Sequence, residues 1–461
     1  MIILIAVFGF FFFYRLDYNT LASWDEGWYA SIARNIARTG DFMRMMWNGK
    51  PYYDHPPMGF WLMALSYKLF GINEFATRFP SAVLGLLSII LVYKIGIELF
   101  GKKIIGFIAA IILGTSVWYL IRVRSGDLDS VFVFFYILTM YLSIRSSKNF
   151  KWFPLVGLSF GGLILSKTLV GISALVLILF LNLKQFFKKE HILYLVLGIG
   201  GFFILVFPWY KIQANTYGDF IQHHFFTIGM RDKTLKSYFN IMLDKPFFYL
   251  HMGVRKWYYI WLLVTGYLVI SLKFLKKNIL FLFLWNFVIL YPFLTSEKTE
   301  LWHLIPTYVP MAFIIAVGAY EGALFVQKKI KIVPQNLYVV AYAAFFILLA
   351  GIQAKIFIPE VYPQSRYIPD DVAISKAAQK YDKIFYLDDD YTPLAVFYAD
   401  RIVYQLSYEP GEKKTLLKLF QSPEKDFIVA TRNWALNHLD EEKIPYKILE
   451  QNNLFTIATR P

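Results

Sequence analysis

Residues 192–210 read ILYLVLGIGGFFILVFPWY, nineteen residues without a single charge. A transmembrane helix needs about 20 apolar residues to cross the hydrocarbon core of a bilayer. The whole chain shares this character, because 57% of its 461 residues are apolar and 17% are charged. Soluble domains average about 45–50% apolar and about 25% charged residues. The sequence therefore predicts a protein that uses lipid as its main solvent.

Ten other apolar segments occur before residue 358, separated by polar loops. The first of them lacks the basic start and the small-residue cleavage site of a signal peptide, so we count it as a span. We expect a polytopic α-helical membrane protein with about eleven spans. The segments are Met1–Tyr14, Phe79–Leu99, Ile104–Leu120, Val131–Ile144, Phe153–Leu165, Leu169–Leu181, Ile192–Tyr210, Tyr258–Leu272, Ile279–Leu294, Leu304–Val326 and Leu337–Ile358.

The charge pattern predicts which side each loop faces. Basic residues cluster in five short loops that all lie on one side if the spans are as given, and the positive-inside rule makes that side cytoplasmic. The N-terminus is then cytoplasmic and the C-terminal tail extracytoplasmic. The same rule accounts for the net charge of +15, so no nucleic-acid partner is expected. The loops hold Lys102–Lys103, Arg145–Lys151, Lys184–Lys189, Lys273–Lys277 and Lys328–Lys331.

The chain divides into two predicted domains. Residues 1–358 form the membrane domain, with a first outer loop at 17–78 and a middle outer loop at 211–257. Residues 359–461 predict a small extracytoplasmic α/β domain. It contains no phosphate-binding loop, so we expect a structural or acceptor-binding accessory role. Its predicted elements are strands Lys383–Leu387 and Phe427–Thr431, helices Thr392–Tyr398 and Glu412–Phe420, and a hairpin of Ile448–Glu450 with Leu454–Ala458.

The first outer loop opens with an acidic pair, Asp25 and Glu26. Apolar or small residues then recur with helical spacing over 29–37, while Arg34 and Arg38 share the opposite face. We expect a helix lying along the membrane surface. Carboxylates in its first turn are favoured by the helix dipole, so a purely structural role stays open beside a functional one.

A rigid turn follows, opened by Asn48-Gly49 and closed by Pro56-Pro57 ahead of an amphipathic stretch, Met58–Phe70. Asp54 and His55 are held in this turn. A carboxylate beside an imidazole suits a divalent cation or a phosphate, and equally an ordinary surface pair. The chain has no cysteine, which excludes disulfides and thiolate metal sites. Asp54 and His55 are thus the candidate metal ligands, although the sequence demands no cofactor.

Four charged residues, Arg122, Arg124, Asp127 and Asp129, lie together at the mouth of an apolar span. Charges in such a place are costly unless they are paired, so they indicate either structural ion pairs or a functional site. A further cation, Lys167, lies between two later spans on the same predicted side. It suits a phosphate oxygen, or it extends to the interface as many lysines do.

At this point the chain resembles the polyprenyl-phosphate-sugar-dependent glycosyltransferases of the GT-C type. These include the bacterial aminoarabinose transferases that modify lipid A and the protein O-mannosyltransferases. Relatives often have arginine in place of Trp28 and lysine in place of His55. Weaker matches continue to about residue 310. The matching pieces are Asp25-Glu26 with Tyr29, Asn48-Gly49-Lys50-Pro51-Tyr52 before Pro56-Pro57, and Phe70-Gly71 to Arg78-Phe79-Pro80-Ser81.

The resemblance implies a catalytic site on the outer face. Asp25 and Glu26 are the implied catalytic signature, and Asp129 is the implied second acidic residue, with Asp127 as its rival. Further polar residues are implied to bind the sugar and phosphate of the donor. These substrate-binding residues are Tyr29, His55, Arg122, Arg124, Asp127, Lys167, Arg231 and Lys298.

We therefore expect a glycosyltransferase of the plasma (inner) membrane. It would move a sugar from a polyprenyl phosphate, such as undecaprenyl phosphate, to a lipid, glycan or protein acceptor of the cell envelope. Asp25 is the expected general base, with Glu26 and Asp129 orienting it or the acceptor, and direct attack would invert the anomeric carbon. The alternatives are a transporter or lipid flippase, and a scaffold that displays the C-terminal domain. A transporter should show internal repeats, which the sequence lacks.

Overall fold

A computed structural model describes residues 1–22, 24–230, 239–330, 334–362 and 365–461. The chain forms two compact units, which we call the membrane unit and the loop–tail unit. The tail shares a unit with the first outer loop, a grouping that the predicted boundary at residue 358 did not include. The membrane unit is Met1–Arg15, Tyr53–Gly59 and Phe79–Tyr362, and the loop–tail unit is Leu16–Tyr52, Phe60–Arg78 and Pro363–Pro461.

Each of the eleven predicted apolar segments is helical. The helices up to residue 148 are α1 (Ile2–Phe13), α2 (Asp25–Thr39), α3 (Met58–Phe70), α4 (Glu74–Phe100), α5 (Lys103–Gly114), α6 (Val117–Val123) and α7 (Asp129–Lys148). Those that follow are α8 (Phe153–Ile164), α9 (Thr168–Phe186), α10 (Ile192–Thr216), α11 (Asp244–Val254), α12 (Lys256–Ile270), α13 (Lys277–Leu294), α14 (Tyr308–Ile330) and α15 (Gln335–Val361).

Seven helices in the described part of the chain are long and apolar enough to cross a membrane. An eighth span results if α5 and α6 count as one bent span. Three shorter apolar helices, which include α1, α8 and α12, match the remaining predicted segments. The chain is an integral membrane protein, and the number of eleven spans stays a prediction.

The segment expected as one span at Ile104–Leu120 is broken, because α5 and α6 meet at 74°. The break falls at Thr115 and Ser116, whose hydroxyls bond back to carbonyl oxygens of the preceding turn. Thr115 Oγ1 donates to Ile111 O at 2.6 Å, and Ser116 Oγ donates to Ile112 O at 2.8 Å. Such bonds compete with the helix ladder and bend helices. The short helix α6 that results carries Arg122.

The predicted turn at Asn48-Gly49 is confirmed. It joins strands β1 (Met46–Trp47) and β2 (Lys50–Pro51), which pair antiparallel. Asn48 has φ 49° and Gly49 has φ 78°. Two positive φ angles define the type I′ turn that joins tight hairpins, and the Asn-Gly sequence favours it.

The tail is the predicted α/β domain, built on a five-stranded sheet of order β4-β3-β5-β7-β6. β3 pairs parallel with β4 and β5, whereas β7 pairs antiparallel with β5 and β6. The sequence did not predict α16, β4 or α19, which are all eight residues or shorter. The elements are α16 (Asp370–Ala377), β3 (Ile384–Leu387), α17 (Thr392–Ala399), β4 (Val403–Gln405), α18 (Lys413–Gln421), β5 (Phe427–Arg432), α19 (Asn437–Glu441), β6 (Lys447–Gln451) and β7 (Phe455–Thr459).

Candidate functional site

In the membrane unit, Asp129 lies buried at the first residue of α7, with a side chain that is 10% exposed. Its carboxylate accepts a hydrogen bond from Lys167 Nζ at 3.1 Å and lies 3.4 Å from Arg122 Nε. The N-terminal end of α7 adds a favourable dipole. Residues from two separate segments of the sequence therefore meet around one carboxylate.

Arg122 connects Asp127 and Asp129, because it forms an ion pair with each of them. Its guanidinium carbon lies 5.5 Å from the ring centroid of Trp118 and 4.8 Å from that of Trp302. Aromatic faces attract a cation at such distances. Arg122 thus lies beside two neighbouring indole rings while it contacts Asp129.

Lys167 is the more accessible partner of Asp129. Its side chain is 25% exposed, and it precedes the first residue of α9. An ammonium group is a point charge with three donors, so it can bind an anionic oxygen of a substrate while it keeps the Asp129 contact. The geometry fits the predicted role of Lys167 at a phosphate.

Arg124, whose role at the substrate stays a prediction, contacts the end of another helix. Its guanidinium donates to the carbonyl oxygens of Phe11 and Phe12 at 2.8 and 3.1 Å, at the end of α1. It also lies 4.4 Å from the ring centroid of Tyr362. A cation that binds the last carbonyl groups of a helix is stabilising there. These contacts describe a residue that packs helices together.

Tyr53 and Asp54 meet the middle outer loop at a π-helical segment, Gln222–Gly229. His223 Nε2 lies 2.6 Å from Asp54 Oδ1, and the Tyr53 hydroxyl lies 2.9 Å from both carboxylate oxygens of Asp219. Burial and the hydrogen bond to Asp219 raise the pKa of Tyr53 to about 12, so its hydroxyl stays protonated. π-Helical turns occur frequently at functional sites.

The candidate metal ligands were Asp54 and His55, but the structure pairs Asp54 with His223. Among the described residues, no group of three or more His, Cys, Asp or Glu side chains is arranged to hold a metal ion. One carboxylate and one imidazole provide fewer donors than the four to six of ordinary sites. The described residues therefore do not by themselves fit a resident divalent ion.

In the loop–tail unit, α2 begins at Asp25, as the sequence predicts. Glu26 is 2% exposed, and its carboxylate accepts hydrogen bonds from Arg78 Nε at 2.7 Å, Arg78 Nη2 at 2.9 Å and the Ala22 amide at 2.6 Å. Arg78 also donates to three backbone carbonyl groups within 16–20. Both oxygens of Glu26 are engaged, which fits a residue that positions the turn rather than one that moves a proton.

Asp25 follows a strained residue. Trp24 has φ 62° and ψ −102°, a backbone conformation that residues other than glycine rarely adopt. Strained backbone is concentrated at functional sites, where the surrounding structure maintains it. Asp25 itself is half-buried. The backbone before Asp25 thus has the character expected of a functional turn.

The helix expected to lie along the membrane surface is more buried than its pattern suggests. Arg34, assigned to the polar face, is 8% exposed. Tyr29, a predicted substrate-binding residue, is also 8% exposed, and its ring packs edge-on against Phe60 with centroids 5.4 Å apart. Arg38 remains exposed. Burial against the tail, which a local pattern cannot report, explains the difference.

Three other substrate-binding residues were predicted from the sequence. Lys298 is exposed in the segment before α14, and His55 is half-buried in the turn after β2. Arg231 lies outside the described residues. Their predicted roles stay predictions.

Sequence reasoning missed two residues that hold Arg122. Trp118 precedes Arg122 by four residues in α6, so both lie on one face of that helix, and this signal was available. Trp302 is far away in the sequence, and no local pattern indicates its contact with Arg122. Asp219, the partner of Tyr53, was missed for the same reason.

Comparisons with known proteins identify a family model and several relatives. A family model described as Dolichyl-phosphate-mannose-protein mannosyltransferase matches residues 54–210. The chain is 28% identical over 330 residues to the undecaprenyl phosphate-alpha-4-amino-4-deoxy-L-arabinose arabinosyl transferase of Aeromonas hydrophila. That alignment covers 68% of this chain and 59% of the transferase. An uncharacterized protein of Aquifex aeolicus is 27% identical over 328 residues, with 69% and 63% covered. The chain spans about three-fifths of the length of these two curated relatives.

Solved structures resemble the fold over nearly the whole chain. The crystal structure of ArnT from Cupriavidus metallidurans bound to undecaprenyl phosphate matches with a TM-score of 0.72 at 17% identity, covering 99% of this chain and 97% of that chain. The archaeal oligosaccharyltransferase AglB from Archaeoglobus fulgidus matches with a TM-score of 0.56 at 11% identity, covering 97% and 69%.

These likenesses establish the fold, which is that of the GT-C type. The predicted resemblance to polyprenyl-phosphate-sugar-dependent glycosyltransferases is confirmed by the family model, the arabinosyl transferase and the two structures. Because the relatives with a stated activity are transferases, they favour the enzyme over the transporter alternative.

Proposed function

We propose that the chain is a membrane glycosyltransferase that moves a sugar from a polyprenyl phosphate to an acceptor hydroxyl or amine. The observation that carries the proposal is the buried Asp129 carboxylate, which is contacted by Lys167 and Arg122 at the ends of apolar helices. Charged groups at the ends of apolar membrane helices are expensive unless they are paired, and they often mark functional sites. A lipid-borne donor explains why a transferase would place this cluster within membrane helices.

The two cations have a specific task in this reaction. The bond between the anomeric carbon and the phosphate oxygen breaks, and the polyprenyl phosphate leaves with additional negative charge. Fixed cations aimed at that oxygen stabilise the transition state more than the ground state. Lys167 and Arg122 are the proposed cations, and Asp129 holds them in place. Lys298 and Arg231 are proposed as additional contacts of the donor phosphate.

Asp25 is the proposed general base. The acceptor oxygen or nitrogen forms its bond to the anomeric carbon while its proton passes to the Asp25 carboxylate, which then releases it to solvent. Attack from the face opposite the phosphate inverts the anomeric configuration. Glu26, fixed by Arg78, positions the turn that carries Asp25.

The proposed location is the inner membrane, with transfer on the outer face. The support is the concentration of lysine in the short loops, which by the positive-inside rule predicts that those loops are cytoplasmic and that the acidic segments lie outside. Labelling of single cysteines from outside the cell tests this orientation. A cysteine at Asn48 should react and one at Lys102 should not, and the reverse result would overturn the orientation.

A transfer assay with purified protein tests the function. The donor is a radiolabelled polyprenyl-phosphate sugar, the acceptor source is a membrane lipid extract, and the variants are Asp25→Asn and Asp17→Asn. Asp17 is a matched control because it lies in the same loop and its side chain is 56% exposed. We expect transfer by the wild type and Asp17→Asn and a loss of at least about 100-fold in Asp25→Asn.

Two results would contradict the proposal. Undiminished transfer by Asp25→Asn would remove the base assignment and leave the transferase activity standing. A wild type that transfers no sugar from any polyprenyl-phosphate donor would remove the function itself.

A further inference from the structure

Within the loop–tail unit, the first turn of α2 packs against the first turn of α17. Gly27 lies at the contact. A Cβ atom added there would come within 3.1 Å of the carbonyl carbon and oxygen of Pro393 and of Leu394 Cδ2. Such distances are shorter than most side chains tolerate, so the absence of a side chain permits this approach. The contact lies two residues from the proposed base, Asp25.

Arg34 fixes the same two helices at the other end of α17. Its guanidinium donates to the carbonyl oxygens of Phe397 at 2.7 Å and Val396 at 2.9 Å, and it pairs with Asp400 at 2.9 Å. The last carbonyl groups of a helix lack partners within the helix and lie at the negative end of its dipole. A buried arginine satisfies both needs, so the contact is specific as well as close.

Tyr398 of α17 binds two further segments of the loop–tail unit, one before α2 and one at the start of α4. Its hydroxyl accepts a hydrogen bond from the Leu21 amide at 2.7 Å and donates to Glu74 Oε1 at 3.0 Å. Leu21 precedes α2, and Glu74 opens α4, the helix whose Arg78 binds Glu26. One buried side chain of the tail therefore contacts both segments that determine where α2 begins.

We propose that the tail is a positioning element of the transfer reaction, in which α17 fixes the first turn of α2, and with it the Asp25 carboxylate, through Arg34 and Tyr398. The inference rests on the function proposed above. It assigns the tail a part in the rate of transfer rather than in acceptor binding. Arg34 and Tyr398 are positioning residues, because they act through α2.

Arg38 provides a matched control for Arg34. Both guanidinium groups pair with Asp400, Arg38 at 2.7 Å, but the Arg38 side chain is 53% exposed and that of Arg34 is 9% exposed. Exposed ion pairs contribute little to stability. Arg38 binds the two Asp400 oxygens at the surface, whereas Arg34 also binds two backbone carbonyl groups of α17. Loss of Arg34 should therefore move α2 far more than loss of Arg38.

The test measures kcat and KM for the full-length Arg34→Gln, Arg34→Lys and Arg38→Gln variants. Displacement of a catalytic group by about 1 Å can reduce a rate about 100-fold. We expect Arg34→Gln to lower kcat about 10- to 100-fold with both KM values within about twofold of the wild type. Arg34→Lys should recover part of the rate, and Arg38→Gln should remain within about twofold of the wild type. Should Arg34→Gln fail to fold, Tyr398→Phe carries the same test.

Hydrogen exchange of the backbone amides of residues 25–32 gives a readout that needs no activity. Exchange should be faster in Arg34→Gln and unchanged in Arg38→Gln. An unchanged kcat in Arg34→Gln, an equal loss in Arg38→Gln, or a raised acceptor KM at constant kcat would each overturn the inference. A wild type without transfer would instead overturn the proposed function, while exchange would still report the contact between α2 and α17.

Discussion

Each unit contains one buried carboxylate paired with a cation, and the two pairs differ in how exposed the cation is. Glu26 and Arg78 are 2% and 9% exposed, and each also forms hydrogen bonds with the backbone of its own unit. Asp129 is also buried, but its partner Lys167 is 25% exposed. A pair with both members buried suits a positioning role, whereas an accessible cation can also bind a substrate. The exposure of the cation thus separates a pair that positions the chain from a pair that can contact a substrate.

Among the variants that test this comparison, Lys167→Met should have the largest effect on transfer. It removes the accessible cation while leaving a side chain of similar length, so the leaving phosphate loses a stabilising contact. Loss of one such donor costs about 100- to 1,000-fold in rate. The control is Lys148→Met, because Lys148 pairs with Glu98 at 2.7 Å and its side chain is 55% exposed. Equal rates for the two variants would contradict the distinction between the pairs.

A change in the Glu26–Arg78 pair should lower the free energy of unfolding. Glu26→Gln leaves Arg78 buried without its full charge partner, which costs about 3–5 kcal/mol for pairs of this kind. Chemical denaturation of the purified protein should show this loss. The double variant Glu26→Leu with Arg78→Met should recover part of it, since two apolar groups leave no buried charge. A Glu26→Gln variant of native stability without activity would instead indicate that Glu26 moves a proton.

Much of the fold could be predicted because local signals determine it. Apolar runs predicted every long helix, Asn48-Gly49 predicted the hairpin, and the spacing of apolar residues predicted that a helix begins near Asp25. The break between α5 and α6 was missed, because the apolar run continues through Thr115 and Ser116. Hydroxyl groups that bond back to the helix leave no mark in a hydropathy pattern.

The candidate site could be predicted in its parts and not in its contacts. Asp129, Lys167 and Arg122 were each identified, yet their meeting around one carboxylate is a product of helix packing. The same limit applies to Asp54, whose partner is His223 rather than the neighbouring His55. Residues far apart in the chain become neighbours only through the fold.

A smaller effect should come from the indole rings that hold Arg122. Trp302→Leu removes the closer ring, at 4.8 Å, and cation–π contacts contribute about 1–2 kcal/mol at shielded sites. We expect transfer to fall about tenfold, with Trp302→Phe close to the wild type. Trp434→Leu is a control in the tail, since Trp434 is 53% exposed. If Trp302→Leu retains the full rate, Arg122 does not need its ring partners.

The last prediction concerns the pH dependence of stability rather than transfer. It involves a buried carboxylate of the tail, Asp388, which accepts a hydrogen bond from Thr431 Oγ1 at 2.7 Å. Burial, together with the charges of Asp389 and Glu412, raises the pKa of Asp388 to about 7. An unfolded aspartate releases its proton near pH 3.9. The stability from Asp388 is therefore full below about pH 4 and is lost as the pH rises towards 7.

Asp388→Asn should flatten this pH dependence. The amide cannot ionise, so the stability of the variant relative to the wild type should rise between pH 5 and 7 by on the order of 1 kcal/mol. Thermal melting at several pH values measures the difference, and transfer at neutral pH should not change. If the melting temperatures of the two proteins change equally with pH between 5 and 7, Asp388 does not cause the pH dependence.

The most direct test of the central claim is the stoichiometry of donor consumption by purified protein, wild type beside Asp129→Asn. The account predicts that the wild type releases one polyprenyl phosphate for each sugar transferred, and that folded Asp129→Asn releases almost none. Release by Asp129→Asn at the wild-type rate, or consumption of the donor without release of polyprenyl phosphate, would contradict it.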